Sequence, residues 1–443
     1  MYRKLSLMNS SVLKIGAVAV VCILVMAGMV YFMTKGGNSE KKVTYTFDGS
    51  LPVMGNANED YLIDNSDLEI INKIVRGDDG YTIGNYPMAD ADNDSKVTSA
   101  DRDVVKNIID GKETLVYVYN YSSAKGMYLD TVHWPVKNAV TAGASTILIA
   151  EYISGVSERI VGVTYDAGGV DEILFPKLSK TPSLGPNQRE FDFDAVSNLV
   201  TTDNVTALIS AGWHDNFDDF KRIGVDIICP SISNCDPSDF SSSMLLLGFV
   251  FNINNQALEV SQWYKDLMDE INGKLPALED RKKVMGTIMA TWAIPVTSAY
   301  TDIYRMAGGV PTTYVSTAQA GFMLTISDWI NDDDADFILG ILSQSAGNSI
   351  YKDGRDDSGY SKSMKTCYTA PAFLKKQVSV IFMDLPIPLR IMYAAAAIYP
   401  ELFSEEWADQ KHQDFVDRFY AVDIDLSDKD FLLVYDELYP NNA

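Results

Sequence analysis

Oxygen-bearing side chains recur at one fixed spacing in two separate stretches. The first places Asn56, Asn58, Asp60, Asp64 and Asp67 at loop positions 1, 3, 5, 9 and 12. The second, starting 34 residues on from Asn56 at Asp90, places Asp90, Asp92, Asp94, Thr98 and Asp101 at the same positions. Position 7 is Leu62 in one and Lys96 in the other, each able to contribute its backbone carbonyl. Hard oxygen donors at this spacing let a short loop wrap a Ca2+ ion with about six to eight oxygens. The alternative is an acidic, solvated surface stretch, but chance does not copy a whole register. Two structural Ca2+ ions are therefore the expected cofactors. Free Ca2+ is scarce in the cytosol, so a constitutive structural site points to an exterior location.

The elements that must hold these loops follow them directly. Leu68–Val75 and Arg102–Ile109 carry apolar residues at helical spacing. A loop-helix unit repeated twice, with Asp at position 12, resembles the type I dockerin module over residues 51–112. The departure is at position 6, where Tyr61 and Ser95 stand in place of the glycine of an ordinary EF-hand. The resemblance implies a small all-α calcium module with a cohesin partner. In that family, loop positions 10 and 11 help contact the cohesin; here they are Asn65, Ser66, Ser99 and Ala100.

The chain has 443 residues and a formal net charge of −24, which argues against a nucleic-acid partner, since phosphate binding needs clustered cations. Its four cysteines show no zinc spacing; Cys229 and Cys235 are near enough in sequence for a disulfide but form no framework. Residues 15–34 carry no charge and are long enough to span a bilayer's hydrocarbon core. Arg3, Lys4 and Lys14 precede them, which orients the N-terminus to the cytoplasm. We read residues 1–36 as an uncleaved single-pass anchor with the bulk of the chain extracytoplasmic, and 37–50 as a polar linker to the calcium module. A cleaved signal peptide is the other reading of the same segment.

From Glu113 onward short β-rich runs alternate with helices, the pattern of α/β architecture. Strands are expected at Leu115–Tyr119, Arg159–Thr164, Val205–Ser210, Val225–Cys229 and Lys283–Ala290. Helices are expected at Ser145–Ile153, Asp192–Thr201 and Phe217–Ile223. The spacing fits parallel βαβ crossovers. One continuous helix is expected over about 240–272, capped by Asp239 and stopped at Gly273. This divides the rest into an N-terminal lobe (113–239), a connecting helix (240–273) and a C-terminal lobe (274–443). The acidic run Asp332–Asp336 reads as an exposed helix start. Asn120 and Asn204 head triplets compatible with surface glycosylation.

The segment Gly248–Tyr264 resembles the connecting helix of class III substrate-binding proteins of ABC importers, the family that serves iron–siderophore, haem and cobalamin uptake. Glu151–Val163 is similar to that family's first helix and following strand, and Arg222–Pro230 to the strand before its linking helix. Pro388–Phe403 and Asp414–Tyr420 look like its closing helices. The resemblance spans 113–443. It implies two Rossmann-like lobes joined by one long backbone helix, no catalysis, a metal-chelate ligand between the lobes, and ABC permease and ATPase partners.

Ligands of open α/β sheets sit beyond the carboxyl ends of the strands. On that rule the N-lobe candidates are Ser145, Tyr165, Trp213 and His214, and the C-lobe candidates are Trp292, Tyr300 and Arg305. Each aromatic could instead pack lobe against lobe, and His214 could be a surface histidine. No phosphate-cradling glycine loop or Gly-x-Ser-x-Gly elbow occurs in the sequence, and its three histidines do not cluster in sequence. The expected function is a membrane-anchored extracytoplasmic binding component that delivers a metal chelate to an ABC permease. The alternative is a dockerin-bearing cell-surface assembly protein attached to a cohesin partner.

Overall fold

The structure is a computed structural model. It describes residues 44–440 apart from 123–124, 143–144, 165–169, 182, 188–189, 212–216, 232–234, 289–291, 295–297, 313–323, 326–333, 343–348, 354–355, 366–367 and 421. The expected anchor at 15–34 lies outside these residues. Among the described residues, no helix is long and apolar enough to cross a membrane. Thr46 to the C-terminus forms one compact unit.

The region of the two oxygen-rich loops holds two helices, α1 (Asn65–Arg76) and α2 (Ser99–Ile109). Both begin a turn earlier than their apolar runs suggest. Asp64 and Thr98, at loop position 9, are the N-caps, and Asp67 and Asp101 close a capping box in each. Ile71, Val105, Ala57, Ala89 and Ala91 form a small shared core.

An antiparallel ribbon of β1 (Thr114–Ser122) and β2 (Gly126–Trp134) follows, with Thr114 opposite Trp134. The N-lobe sheet contains β3 (Asn138–Thr141), β4 (Ile160–Val163), β5 (Val205–Ile209) and β6 (Asp226–Ile228). All pairs are parallel, in the order β4-β3-β5-β6. Helices α3 (Ser145–Ile153) and α4 (Phe193–Thr202) supply crossovers, as the sequence pattern requires. Val140, Leu208 and Ile227 pack against Val196, Leu199 and Phe220 in its core.

The stretch expected to be one helix is two. Helix α5 runs Pro237–Val250 and α6 runs Asn255–Lys274. They fold back on each other: the rings of Phe240 and Tyr264 lie 5.0 Å apart, and the Tyr264 hydroxyl donates to the Cys235 carbonyl at 2.6 Å. On a straight helix those rings would be about 36 Å apart. The break is built by Asn252, which takes a left-handed φ of 57° that asparagine tolerates. Gly248 permits the close turn, since a Cβ there would sit 2.9 Å from the Ile253 carbonyl oxygen and 3.0 Å from Ala257. The N-cap is Asp236 rather than Asp239, because Pro237 presets the first helical turn and the Asp236 carboxylate accepts from Ser238 and Asp239. The helix also passes through Gly273 to Lys274, one residue short of Leu275-Pro276.

The C-lobe sheet is mixed. Its parallel centre is β7 (Lys283–Ile288), β11 (Phe337–Leu342) and β12 (Val378–Phe382). Short strands β8 (Trp292–Ala293), β9 (Val310–Pro311), β10 (Leu324–Thr325) and β13 (Leu432–Val434) complete it. Asp334 and Asp336 lead into strand β11 rather than starting a helix. The run Phe337-Ile-Leu-Gly-Ile-Leu342 that follows is buried throughout, as a central parallel strand is. The Asp336 carboxylate accepts from the Lys283 amide at 2.9 Å, and Asp334 pairs with the Lys283 ammonium. Helices α7 (Ala299–Met306) and α8 (Ile387–Ile398) pack on this sheet, and α9 (Glu405–Phe419) packs on α8.

Asn120 is fully buried. Its side chain donates to the Ile227 carbonyl and accepts from the Cys229 amide, both at 2.8 Å, joining the ribbon to the N-lobe edge. A surface sugar there is ruled out, whereas Asn204 is exposed. Cys229 and Cys235 are both buried and form no disulfide with each other.

Candidate functional site: two oxygen loops and the lobe junction

The two loops share a hydrogen-bond plan. In the first, Asp67 accepts from the amides of Asn58 (3.1 Å) and Asp64 (2.8 Å). In the second, Asp101 accepts from Asp92 (3.1 Å) and Thr98 (2.6 Å). Position 12 thus ties each loop's start to the helix that follows it. The loops differ at position 6: Ser95 takes the left-handed φ that an EF-hand glycine provides, at 70°, and Tyr61 does not. At position 4 both Glu59 and Asn93 adopt it.

Carboxylate oxygens of Asp90, Asp92 and Asp94 come within 4.8 Å of one another. Asp92 Oδ1 and, in the first loop, Asn56 Oδ1 are buried without a hydrogen-bond partner among the described residues. A buried acceptor left unpaired is costly, and a cation beside it removes that cost. Burial, with Asp60 and Asp64 nearby, pushes the Asp67 carboxyl up to about 6 against the two amides that favour its charge. Burial and the neighbouring Asp101 and Asp94 likewise raise Asp92. An all-oxygen donor set of clustered carboxylates fits a hard divalent cation such as Ca2+.

The second candidate region is where the lobes meet. The Gln256 side-chain amide, at the start of α6, donates to the carbonyls of Tyr152 (3.1 Å) and Ile153 (3.2 Å) at the end of α3. It also reaches the Phe419 carbonyl at the end of α9 (3.1 Å), so one side chain spans both lobes. Further along α6, Trp263 donates to Asp414 at 3.0 Å and stacks edge-on against Phe415. Glu270 accepts from Trp407 and pairs with Lys411 and Lys274. Partial burial would raise the Glu270 carboxyl, but these three donors outweigh it and hold it at about 2.

Of the ligand candidates, Tyr165, Trp213 and His214 lie outside the described residues, as do 289–291 and 343–348 beyond the C-lobe strands β7 and β11. Ser145 opens α3. Trp292 lies in β8, opposite Ile288 and Thr325. Tyr300 sits in the first turn of α7, with its hydroxyl 3.7 Å from the Met383 sulfur at the carboxyl end of β12. Burial raises its hydroxyl, and the nearby Arg390 partly offsets this. Arg305, two turns along the same helix, forms an ion pair with Asp302.

Arg390 was not legible as a site residue. It is a buried guanidinium in α8 whose Nε donates to the Leu385 carbonyl at 2.6 Å, beside Tyr300, Cys235 and Asp384. In sequence it is one arginine in an apolar helix, and only its burial sets it apart.

No protein-family model and no curated protein sequence matches the chain. Solved structures do share its fold. An ABC transporter solute binding protein from Sulfurospirillum deleyianum matches with a TM-score of 0.51 at 16% identity, over 68% of this chain and 95% of that one. A TroA-like periplasmic binding protein from Veillonella parvula matches at 0.52 and 15% identity, over 71% and 99%. A periplasmic solute binding protein from the same organism matches at 0.50 and 15% identity, over 74% and 99%. The chain has the mixed α/β fold, with its parallel sheets, that these solute-binding proteins share.

Proposed function

We propose that this protein is the extracytoplasmic substrate-binding component of an ABC importer, holding a metal chelate between its two lobes and presenting it to a permease. The observation that carries this is the series of two α/β sheets bridged by α6, with Gln256 bonded to both lobes. A junction fixed in this way keeps a cleft largely pre-formed, so little ordering entropy opposes binding. Ligands of this kind take aromatic walls and a few placed polar groups, the role we give Tyr165, Trp213, His214, Trp292 and Tyr300, with Ser145 and Arg305 at the margins. The chain performs no chemistry in this reading. Two Ca2+ ions would be held by the loops at Asn56–Asp67 and Asp90–Asp101, and residues 15–34 would anchor the chain.

A thermal-shift panel of ferric hydroxamate, haem, cobalamin and molybdate tests this reading on the whole protein. A chelate at 100 times its Kd adds about 2.7 kcal/mol, which for a chain of this length should raise the melting temperature by about 3 °C. No shift with any chelate contradicts the proposal, and a shift with molybdate alone replaces the chelate by an oxyanion. Attachment to a cohesin is a second reading, favoured by the exposure of Asn65, Ser66, Ser99 and Ala100.

A further inference from the structure

The calcium-loop region is joined to the lobes by more than chain connectivity. Residues 46–54, expected to belong mostly to a polar linker, form a strap that is buried at Phe47, Leu51, Val53 and Met54. At one end the strap meets the inter-lobe helix: the Thr46 amide donates to Gln262 Oε1 at 2.7 Å, and Gln262 Nε2 donates back to the Thr46 hydroxyl at 3.0 Å. Gly49 then passes so close to α5 that a Cβ there would lie 2.7 Å from Ser241 Cβ. At the other end Val53 bridges Val118 of β1, with Met54 donating to Tyr117 and Tyr119 to Pro52, each at 2.9 Å. Strand β1 continues into the N-lobe edge, where the Tyr121 amide donates to the Cys229 carbonyl at 2.8 Å.

The middle of the strap is held by the first oxygen loop itself. The Leu51 amide donates to the Asp60 carbonyl at 2.9 Å. The Leu51 carbonyl accepts from Asn56 Nδ2 at 3.0 Å, and the same nitrogen reaches the Asp60 carbonyl at 2.7 Å. Asn56 therefore grips the strap through its nitrogen and leaves its oxygen, Oδ1, buried and unpaired among the described residues. The ring of Phe47 packs 5.6 Å from that of Tyr61, at position 6 of the same loop. The second loop has no equivalent role: Asp90 instead accepts from Asp94 and Ser95 within its own loop.

We infer that a cation at the first loop acts as a lock on the strap, so that Ca2+ bound there controls the opening of the ribbon edge and of the strap's attachment to α6. The inference rests on the calcium reading and goes beyond it. A Ca2+ ion drawing on Asn56 Oδ1 and Asp60 fixes the two residues that hold Leu51. Peeling the strap away then requires the ion to leave. Opening that is coupled to ion release is suppressed by the factor 1 + [Ca2+]/Kd.

The test is hydrogen exchange on the whole protein across a Ca2+ titration, beside calorimetry that counts bound ions. The amides of Leu51, Met54 and Tyr119 should slow about tenfold for each decade of Ca2+ above Kd, reaching about 100-fold at 100 times Kd. Asp60→Ala should abolish that slope. Asp94→Ala should keep it if the first loop still binds an ion. Two ions bound with protection confined to residues 56–109 would overturn the lock and leave the calcium sites standing. No ion bound would overturn both. The wild-type titration decides the matter even if a variant fails to fold.

Discussion

Glu151 carries a carboxyl group buried away from solvent. It sits fully buried on α3, and neither oxygen has a hydrogen-bond partner among the described residues. Burial pushes it up to about 8, only slightly opposed by Thr141. The folded chain therefore holds a proton here that the unfolded chain releases near pH 4.5. Between those values the native state binds more protons, so stability falls as pH rises from about 4.5 to 8 and levels off above. Glu151→Gln should reduce this slope: across that window in denaturant melts the wild type should lose more stability than the variant, in which Asp67 and Glu405 still titrate. Equal slopes in both would mean the carboxyl is solvated or paired. Nothing in the sequence marks Glu151, since an acid in the run Ile-Ala-Glu-Tyr-Ile looks like the polar face of an amphipathic helix. The two loops were legible as a repeat because their shared register is written in the spacing of Asn56–Asp67 and Asp90–Asp101. Arg390 and Gln256 were not, because their roles depend on what a distant segment brings to them.

At the scale of elements, the α5–α6 hairpin is the most informative departure from the sequence reading. Apolar residues recur from Phe240 to Ile271 as one helix would place them, and periodicity alone does not show a fold-back. The signals were local: Gly248 and the run Asn252-Ile-Asn-Asn255, which favours left-handed backbone and interrupts the helix. Gly248→Val should destabilise the protein by about 1–3 kcal/mol, because the new side chain meets the fixed Ile253 carbonyl and Ala257 rather than a yielding side chain. Chemical denaturation checks this, and an unchanged midpoint would mean the two helices separate at no cost. Three of the four N-lobe strands, β4, β5 and β6, were read within a residue or two, because each is a short apolar run bounded by turn residues, whereas the four-residue central strand β3 was missed. The pairing of β1 with β2 was missed. Strand β2 is half-buried on both faces from Tyr128 to Thr131, which hides its alternation.

For the whole molecule, the two lobes and the calcium-loop region form one unit rather than beads on a tether. Helix α6 is only about 30 Å long, yet it carries Gln256 at the junction of both lobes, Gln262 at the strap, and Trp263 and Glu270 on α9. A helix tied at so many points resists bending. It also carries both the strap contact, at Gln262, and the contact with both lobes, at Gln256. The overall plan of two α/β lobes was visible in the alternation of strands and helices. The integration was not, because buried strap residues such as Leu51 and Val53 look like an ordinary link between segments. The most direct measurement is an equilibrium titration of the protein, in buffer containing Ca2+, with a ferric siderophore, followed by tryptophan fluorescence, in the wild type and in Tyr300→Ala. Saturable quenching in the wild type, with affinity weakened about tenfold or more in the variant, is the predicted result. Quenching of equal affinity in both, or none in either, would contradict a chelate bound between the lobes at the carboxyl end of β12.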